Sequence, residues 1–362
     1  MKIDADFPSK KYSILIGEDL LDEAFSFCKS YSSIAIITDS NVEKLYKELI
    51  LKKFPRKVSF FSFPAGEKSK TRKTKEKIED FLFQSKVGRD GIIVAIGGGI
   101  VLDIAAFTAS TYMRGIDLLL VPTTFLAMVD AAIGGKTAIN TSYGKNLIGT
   151  FYHPEKVIVD SSFLKTLTLN QMREGMAEVV KMAAAMDEAF FKEIEENLSL
   201  WIKRDPLFIQ RCIQKSIELK LSIVEKDEKE ASLREILNFG HTFGHALEKA
   251  TDYKLSHGRA VTLGMMAEGF FSVKKKILSE ESFQRLVLLL VQYSLISKFP
   301  KELSLDTFLQ ALAYDKKGKH GQCRVLLLEK IGKIYASYSH HGEDSLRKIL
   351  SNPKISKLCR PL

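Results

Sequence analysis

The chain has 362 residues, about the length of two domains at roughly 100–200 residues each. It is 45% hydrophobic and 27% charged, ordinary globular usage that excludes disorder as the main state. Its 54 Lys and Arg against 44 Asp and Glu give +10, but the lysines are spread over helical surface patterns and form no basic arm with interleaved aromatics, so no nucleic-acid partner is expected.

The chain opens MKIDADFPSK, with acidic residues where a secretory leader needs an apolar core. No stretch reaches the ~18 uninterrupted apolar residues of a membrane helix. A cytoplasmic protein without a membrane partner is expected. The four cysteines (Cys28, Cys212, Cys323, Cys359) form no CxxC pair and no zinc-finger spacing, which suits a reducing compartment.

In chain order, residues 33–39 form a short apolar run ending at Asp39, and 42–52 have helical spacing. Val58 to Phe63 predicts a strand and Thr71 to Ser85 an amphipathic helix. Gly91 to Ile96 is a buried strand stopped by Gly97-Gly98-Gly99, with a helix over 100–110. Residues 117–121 and 156–160 are further strands. Apolar runs without alternation, separated by helices, predict a parallel sheet covered on both faces. After Leu169 the period is near 3.6: helices are predicted over 171–197, 207–229, 236–250, 258–277, 281–294 and 305–314, with a late strand at 323–328. The expected fold is an α/β Rossmann-like domain with a parallel sheet (1–165) followed by an all-α, metal- and substrate-binding domain (166–362), the boundary falling within about 161–170.

Gly97-Gly98-Gly99, between a strand and a helix, lets backbone N–H groups approach a pyrophosphate at a helix N-terminus. Asp39, ending an earlier strand, is placed to bind a ribose hydroxyl. Residues 66–70 (GEKSK) and Thr123-Thr124 add polar groups at predicted strand ends, where open α/β sheets bind ligands. The segment 130–146 carries Asp130, Lys136, Asn140, Lys145 and Asn146 among glycines, a composition that suits an oxyanion or phosphate. In the second half, His241 and His245 stand one turn apart on one helix face, as do Glu178 and Lys181 on another, and His257 precedes a new helix start. Three of the seven histidines lie within 241–257. Thr242 excludes the HExxH pattern, and spacing alone favours His241 and His245 as metal ligands, leaving Glu178 without a place.

Taken together, the sequence resembles the 3-dehydroquinate synthases, sugar phosphate cyclases of the shikimate pathway. The segments that carry the resemblance are GEKSK (66–70), GGGIVLD (97–103), VPTT (121–124), DAAIGGKTAIN (130–140), GKNLIGTF (144–151), MAEVVK (176–181), LNFGHTFGHALE (237–248), SHGRAV (256–261) and DKK (315–317). The resemblance implies NAD and a divalent metal, Zn²⁺ or Co²⁺, held by Glu178, His241 and His257, with His245 moved to the substrate. Matched substrate positions are Asp130, Lys136, Lys145, Asn146, Lys181, Lys220, Arg234, Asn238 and His245, with one of Lys316 and Lys317. Arg114 matches a phosphate contact from a neighbouring subunit, so a homodimer is expected. Asp39, Glu67, Lys70, Gly98, Gly99, Asp103, Thr123 and Thr124 match NAD contacts, with Phe163, Thr166 and Leu167 beside them; Lys136 and Lys145 serve the cofactor as well. Leu102 and Ala106 stand where the family often has glycine, Thr168 where proline is frequent, and Arg259 where an acidic residue is common.

The activity implied is conversion of 3-deoxy-D-arabino-heptulosonate 7-phosphate to 3-dehydroquinate and phosphate, by transient oxidation, elimination, re-reduction and aldol closure. Competing readings are another sugar phosphate cyclase, which would lack a need for the carboxylate-matching Lys220 and Arg234, and a metal-dependent polyol dehydrogenase, which would accumulate NADH.

Overall fold

The computed structural model describes residues 1–54, 58–295, 308, 311–312 and 323–340. The chain forms two compact units. The first is Met1–Met172 with Lys220–Lys229; the second is Arg173–Leu219 and the chain from Glu230 onward.

The first unit is built on a seven-stranded sheet. Its strands are β1 (Lys2–Asp6), β2 (Lys11–Gly17), β3 (Ile34–Asp39), β4 (Ser59–Phe63), β5 (Ile92–Gly97), β6 (Asp117–Pro122) and β9 (Lys156–Asp160), in the order β1-β2-β9-β6-β5-β3-β4. Every pairing is parallel except β1 with β2. The uninterrupted apolar runs of β3 and β5 are buried throughout, as expected of strands covered on both faces. Helices α1 (Leu21–Cys28), α2 (Ser40–Lys53), α3 (Arg72–Gln84) and α4 (Gly99–Thr111) follow the strands. A two-stranded ribbon, β7 (Ile139–Thr141) and β8 (Gly144–Ile148), stands apart from the main sheet.

The chain steps from β3 outward to β4 and returns to the other side of β3 as β5. The strand order therefore reverses between β3 and β5, the position where doubly wound sheets open a crevice beyond their carboxyl ends. Asp39 ends β3 and Gly97 ends β5 there. The edge pair β1–β2 and helix α1 were not anticipated. Their signal is the alternation of Tyr12, Ile14 and Ile16, whose side chains are all buried while their neighbours are not.

The second unit is mainly helical: most of α5 (Leu169–Met186), α6 (Glu188–Glu196), α7 (Leu198–Ile202), most of α8 (Pro206–Val224), α9 (His241–Ala250), α10 (His257–Lys274) and α11 (Glu280–Gln292). The helix expected over 171–197 is broken at Asp187, whose extended backbone (φ −148°) and carboxylate, accepting from the Phe190 N–H at 2.9 Å, start α6 afresh. The expectation of an all-α domain over 166–362 is corrected. Strands β10 (Cys323–Lys330) and β11 (Lys333–His340) pair antiparallel, and the Leu328 N–H donates to Ser272 Oγ of α10 at 2.9 Å. The late strand expected at 323–328 needs a partner to satisfy its backbone, and β11 supplies it through a turn at Gly332 (φ 85°). The boundary expected near 165 is also shifted: residues 166–172 and 220–229 pack with the first unit. The helix expected over 305–314 lies mostly outside the described residues. No described helix is long and apolar enough to cross a membrane.

Candidate metal centre and anion-binding edge

Three helices of the second unit bring one group of metal-type donors together. Glu178 lies on α5, His241 opens α9 and His257 opens α10. One donor atom from each lies within 4.8 Å of the other two. Glu178 Oε1 is 3.5 Å from His241 Nε2 and 3.3 Å from His257 Nε2. Both imidazoles are oriented through Nδ1. His241 Nδ1 faces the Phe239 carbonyl at 3.3 Å, and His257 Nδ1 faces Glu248 Oε2 at 3.4 Å. An oxygen of either kind accepts, so Nδ1 is the donor in each ring and Nε2 is the nitrogen turned toward Glu178.

Glu178 is fully buried, and neither of its oxygens has a hydrogen bond of normal geometry. Lys181, one turn along α5 and also buried, is its close ion-pair partner. Burial raises the Glu178 pKa, but Lys181 and His257 more than offset this and take it to about 2. Burial lowers that of His257, and the facing carboxylates of Glu178 and Glu248 outweigh it, raising it to about 10. A carboxylate buried without ordinary hydrogen bonds, faced by the Nε2 atoms of two imidazoles, is the donor set of a divalent-cation site with open positions. His245 is outside this donor group. Its ring stands 5.2 Å from that of His241 and 6.4 Å from that of His257, edge-on to the first.

Of the remaining residues matched to substrate in this unit, Arg234 is buried and Asn238 donates from Nδ2 to Glu230 Oε1 at 3.1 Å. Arg259 is exposed, and no ion pair or hydrogen bond is found for it among the described residues. Sequence reasoning missed Glu230, Glu248 and two further carboxylates, Glu174 and Glu268. Glu248 closes the LNFGHTFGHALE segment two turns after His241, the one signal that could have found it.

The first unit gathers its expected residues at the carboxyl ends of the strands. Asp39 caps α2, accepting from the Asn41 and Val42 N–H groups at 2.9 and 3.0 Å. Gly98 lies against Thr124: a Cβ there would stand 3.1 Å from Thr124 Cγ2. Thr123 is buried, its N–H bonded to the Gly97 carbonyl. Gly99 begins α4, which also carries Asp103. Lys70, buried, pairs with Asp103 and donates to Asn146 Oδ1 at 2.6 Å. Burial pushes the Asp103 carboxyl up despite Lys70. Asn140 ties this group to Glu67, its Nδ2 donating to Oε1 at 2.6 Å, while its own Oδ1 accepts from the Asn146 N–H at 3.0 Å. Asn146 takes a left-handed backbone (φ 55°), a conformation its short amide tolerates.

Lys136 is exposed and pairs its backbone with Phe151; Lys145 is half-buried on β8. Asp130 sits on a short π-type turn (Ala127–Ala131). The Lys220 ammonium donates both to its carbonyl and to its carboxylate, each at 2.6 Å. Phe163 is buried edge-on against Tyr46, whose hydroxyl bonds Thr166 at 2.7 Å; Leu167 ends the same turn. Arg114 is exposed and, with Met113, left-handed (φ 68° and 49°). Lys316 and Lys317 lie outside the described residues.

Residues 60–174 match the family described as 3-dehydroquinate synthase N-terminal, and 175–318 the one described as 3-dehydroquinate synthase C-terminal. The chain belongs to the 3-dehydroquinate synthase family. A 3-dehydroquinate synthase of Rippkaea orientalis is 38% identical over 344 residues, 92% of this chain and 94% of that one. A structure of 2-deoxy-scyllo-inosose synthase complexed with carbaglucose-6-phosphate, NAD⁺ and Co²⁺ superposes with a TM-score of 0.90 at 26% identity, over 99% of this chain and 100% of the other. A 2-epi-5-epi-valiolone synthase from Streptomyces hygroscopicus subsp. jinggangensis, with NAD⁺ and Zn²⁺ bound, gives 0.87 at 25% identity, over 98% and 99%.

Proposed function

We propose that the chain converts 3-deoxy-D-arabino-heptulosonate 7-phosphate to 3-dehydroquinate and inorganic phosphate. The observation that carries this is the buried Glu178, His241 and His257 donor set in a chain matched along both halves by the synthase family. Glu178, His241 and His257 would hold Zn²⁺ or Co²⁺, and the edge around Asp39, Glu67, Lys70, Gly98, Gly99, Asp103, Thr123 and Thr124 would hold NAD, with Phe163, Thr166 and Leu167 beside it. When bound, NAD supplies a reversible hydride acceptor and the ion a Lewis acid for substrate hydroxyls.

The chain's own residues bind and orient. Lys136, Asn146, Asn238 and His245 suit the phosphate, Lys145 either anion. Lys220 and Arg234 suit the carboxylate, the guanidinium by a bidentate pair. Asp130 and Lys181 would orient the reacting hydroxyl; Lys181, charge-balanced by Glu178, can donate there without being an isolated buried cation. Arg114 would serve the phosphate of a partner subunit in a homodimer. The match of Lys220 and Arg234 to carboxylate positions supports an acidic substrate over the neutral sugar phosphates of other cyclases.

The test is release of phosphate from the heptulosonate substrate by chelator-stripped protein, with NAD and metal restored singly and together. Release is expected only with both present. Release by metal-free His241→Ala protein at the wild-type rate would sink the proposal, and faster turnover of a neutral sugar phosphate side by side would move it to another cyclase.

A further inference from the structure

The two histidine-bearing helices of the candidate metal centre lack caps of their own. Gly240 precedes α9 without a side chain to offer, and Ser256 precedes α10 without accepting any hydrogen bond from it. A helix start leaves backbone N–H groups that need acceptors. Here carboxylates from neighbouring helices provide them. Glu174, one turn before Glu178 on α5, accepts from the Gly258 N–H at 2.7 Å and from the Ser256 hydroxyl at 2.5 Å. Ser256 therefore donates its hydroxyl to α5. Glu268, fully buried on α10, accepts from the Gly240 N–H at 2.8 Å, at the start of α9. Glycine makes the first contact feasible: a Cβ on Gly258 would stand 2.8 Å from Glu174 Cα.

We propose that Glu174 and Glu268 are positioning residues of the metal centre: each, from one ligand-bearing helix, holds the start of the next, and so fixes the separation of Glu178, His257 and His241. The helix of Glu178 clamps the helix of His257 on both sides of that ligand, at Ser256 and Gly258. The helix of His257 clamps the helix of His241 at the residue before it. The Glu248 contact to His257 then closes α9 back onto α10. The Glu174 carboxylate also lies at the electropositive end of α10, where negative charge is favoured. This inference rests on the metal reading given above.

It is tested by titrating chelator-stripped full-length protein with Co²⁺, following the visible absorption bands, with Zn²⁺ in competition. Glu174→Ala and Glu268→Ala are expected to weaken metal binding about 10–100-fold and to change the Co²⁺ bands. Glu174→Gln and Glu268→Gln keep an oxygen acceptor and are expected to return both readouts toward wild type. A purely structural role would lower the unfolding temperature and leave the Co²⁺ spectrum of the folded variant unchanged. Folded alanine variants with wild-type affinity and spectrum overturn the inference while leaving the metal reading intact. Should Glu268→Ala not fold, Glu174→Ala decides, since Glu174 is half-buried and its removal opens no enclosed cavity. Wild-type protein that takes up no ion overturns the metal reading and this inference with it.

Discussion

At the scale of single residues, the informative disagreement concerns His245. Spacing favours His241 with His245 because periodicity reports which side chains share one helix face. It says nothing about which other helix meets that face. His257 comes from a different helix, and its ring centroid is 5.3 Å from that of His241, as near as the intrahelical neighbour at 5.2 Å. Only the packed structure shows that His257 Nε2 turns to Glu178. The ligand sets make different predictions. His241→Ala and His257→Ala are expected to purify with metal content near zero, because two remaining donors hold a divalent ion poorly. His245→Ala should keep one ion per chain while its phosphate release falls by about 100-fold or more, the scale of losing a hydrogen-bonding group in the site. Elemental analysis beside the release assay decides it, and loss of metal in His245→Ala would restore the choice made from spacing.

At the scale of elements, most strands and helices were legible because apolar period and punctuation agree. Asp187 is an example in reverse: an Asp followed by Glu inside an otherwise continuous apolar period was overrun, although its carboxylate caps a new helix. The glycines of α10 carry less readable information. In sequence they look like positions that weaken a helix by roughly 1 kcal/mol each. In the structure they differ. A Cβ on Gly264 would stand 1.9 Å from the Gly240 carbonyl oxygen and 3.0 Å from the Gly244 nitrogen, so α9 and α10 meet there backbone to backbone. A Cβ on Gly269 would meet only the Phe283 ring, at 3.1 Å, and the side chain of Leu286. Gly264→Ala is therefore expected to destabilise by about 1–3 kcal/mol, the cost of overpacking. Metal affinity should fall with it, because the displaced backbone precedes His241. Gly269→Ala gains helix propensity against a ring that can shift, and should stay within about 1 kcal/mol of wild type. Thermal unfolding with and without metal measures both. Equal effects of the two substitutions would show that the close approach at Gly264 does not constrain the pair.

At the scale of the whole molecule, the division into an α/β part and a helical part was legible from the change of period near Leu169, but its course was not. Helices α5 and α8 each run unbroken through a change of unit, at Met172 and at Lys220, so no helix end marks it. Residues 220–229 join the first unit for tertiary reasons, Lys220 to Asp130 and Glu228 to His153 at 3.1 Å, that no local pattern encodes. Net charge is the other global property, and at +10 it bears on encounter rather than fold. The proposed substrate carries a phosphate and a carboxylate, so its approach should be accelerated by the field of the protein. That field is screened over about 10 Å at 0.1 M salt and about 30 Å at 0.01 M. Accordingly kcat/KM is expected to fall several-fold, roughly from 0.01 M to 0.3 M salt. Saturated turnover should stay nearly constant, because bound anions held by Lys136, Lys145, Lys220 and Arg234 are screened far less than those still in solution. Initial rates over a salt series, with a non-binding anion and fixed metal and NAD, separate the two parameters. A kcat/KM independent of salt would assign the excess charge to solvation of the surface alone.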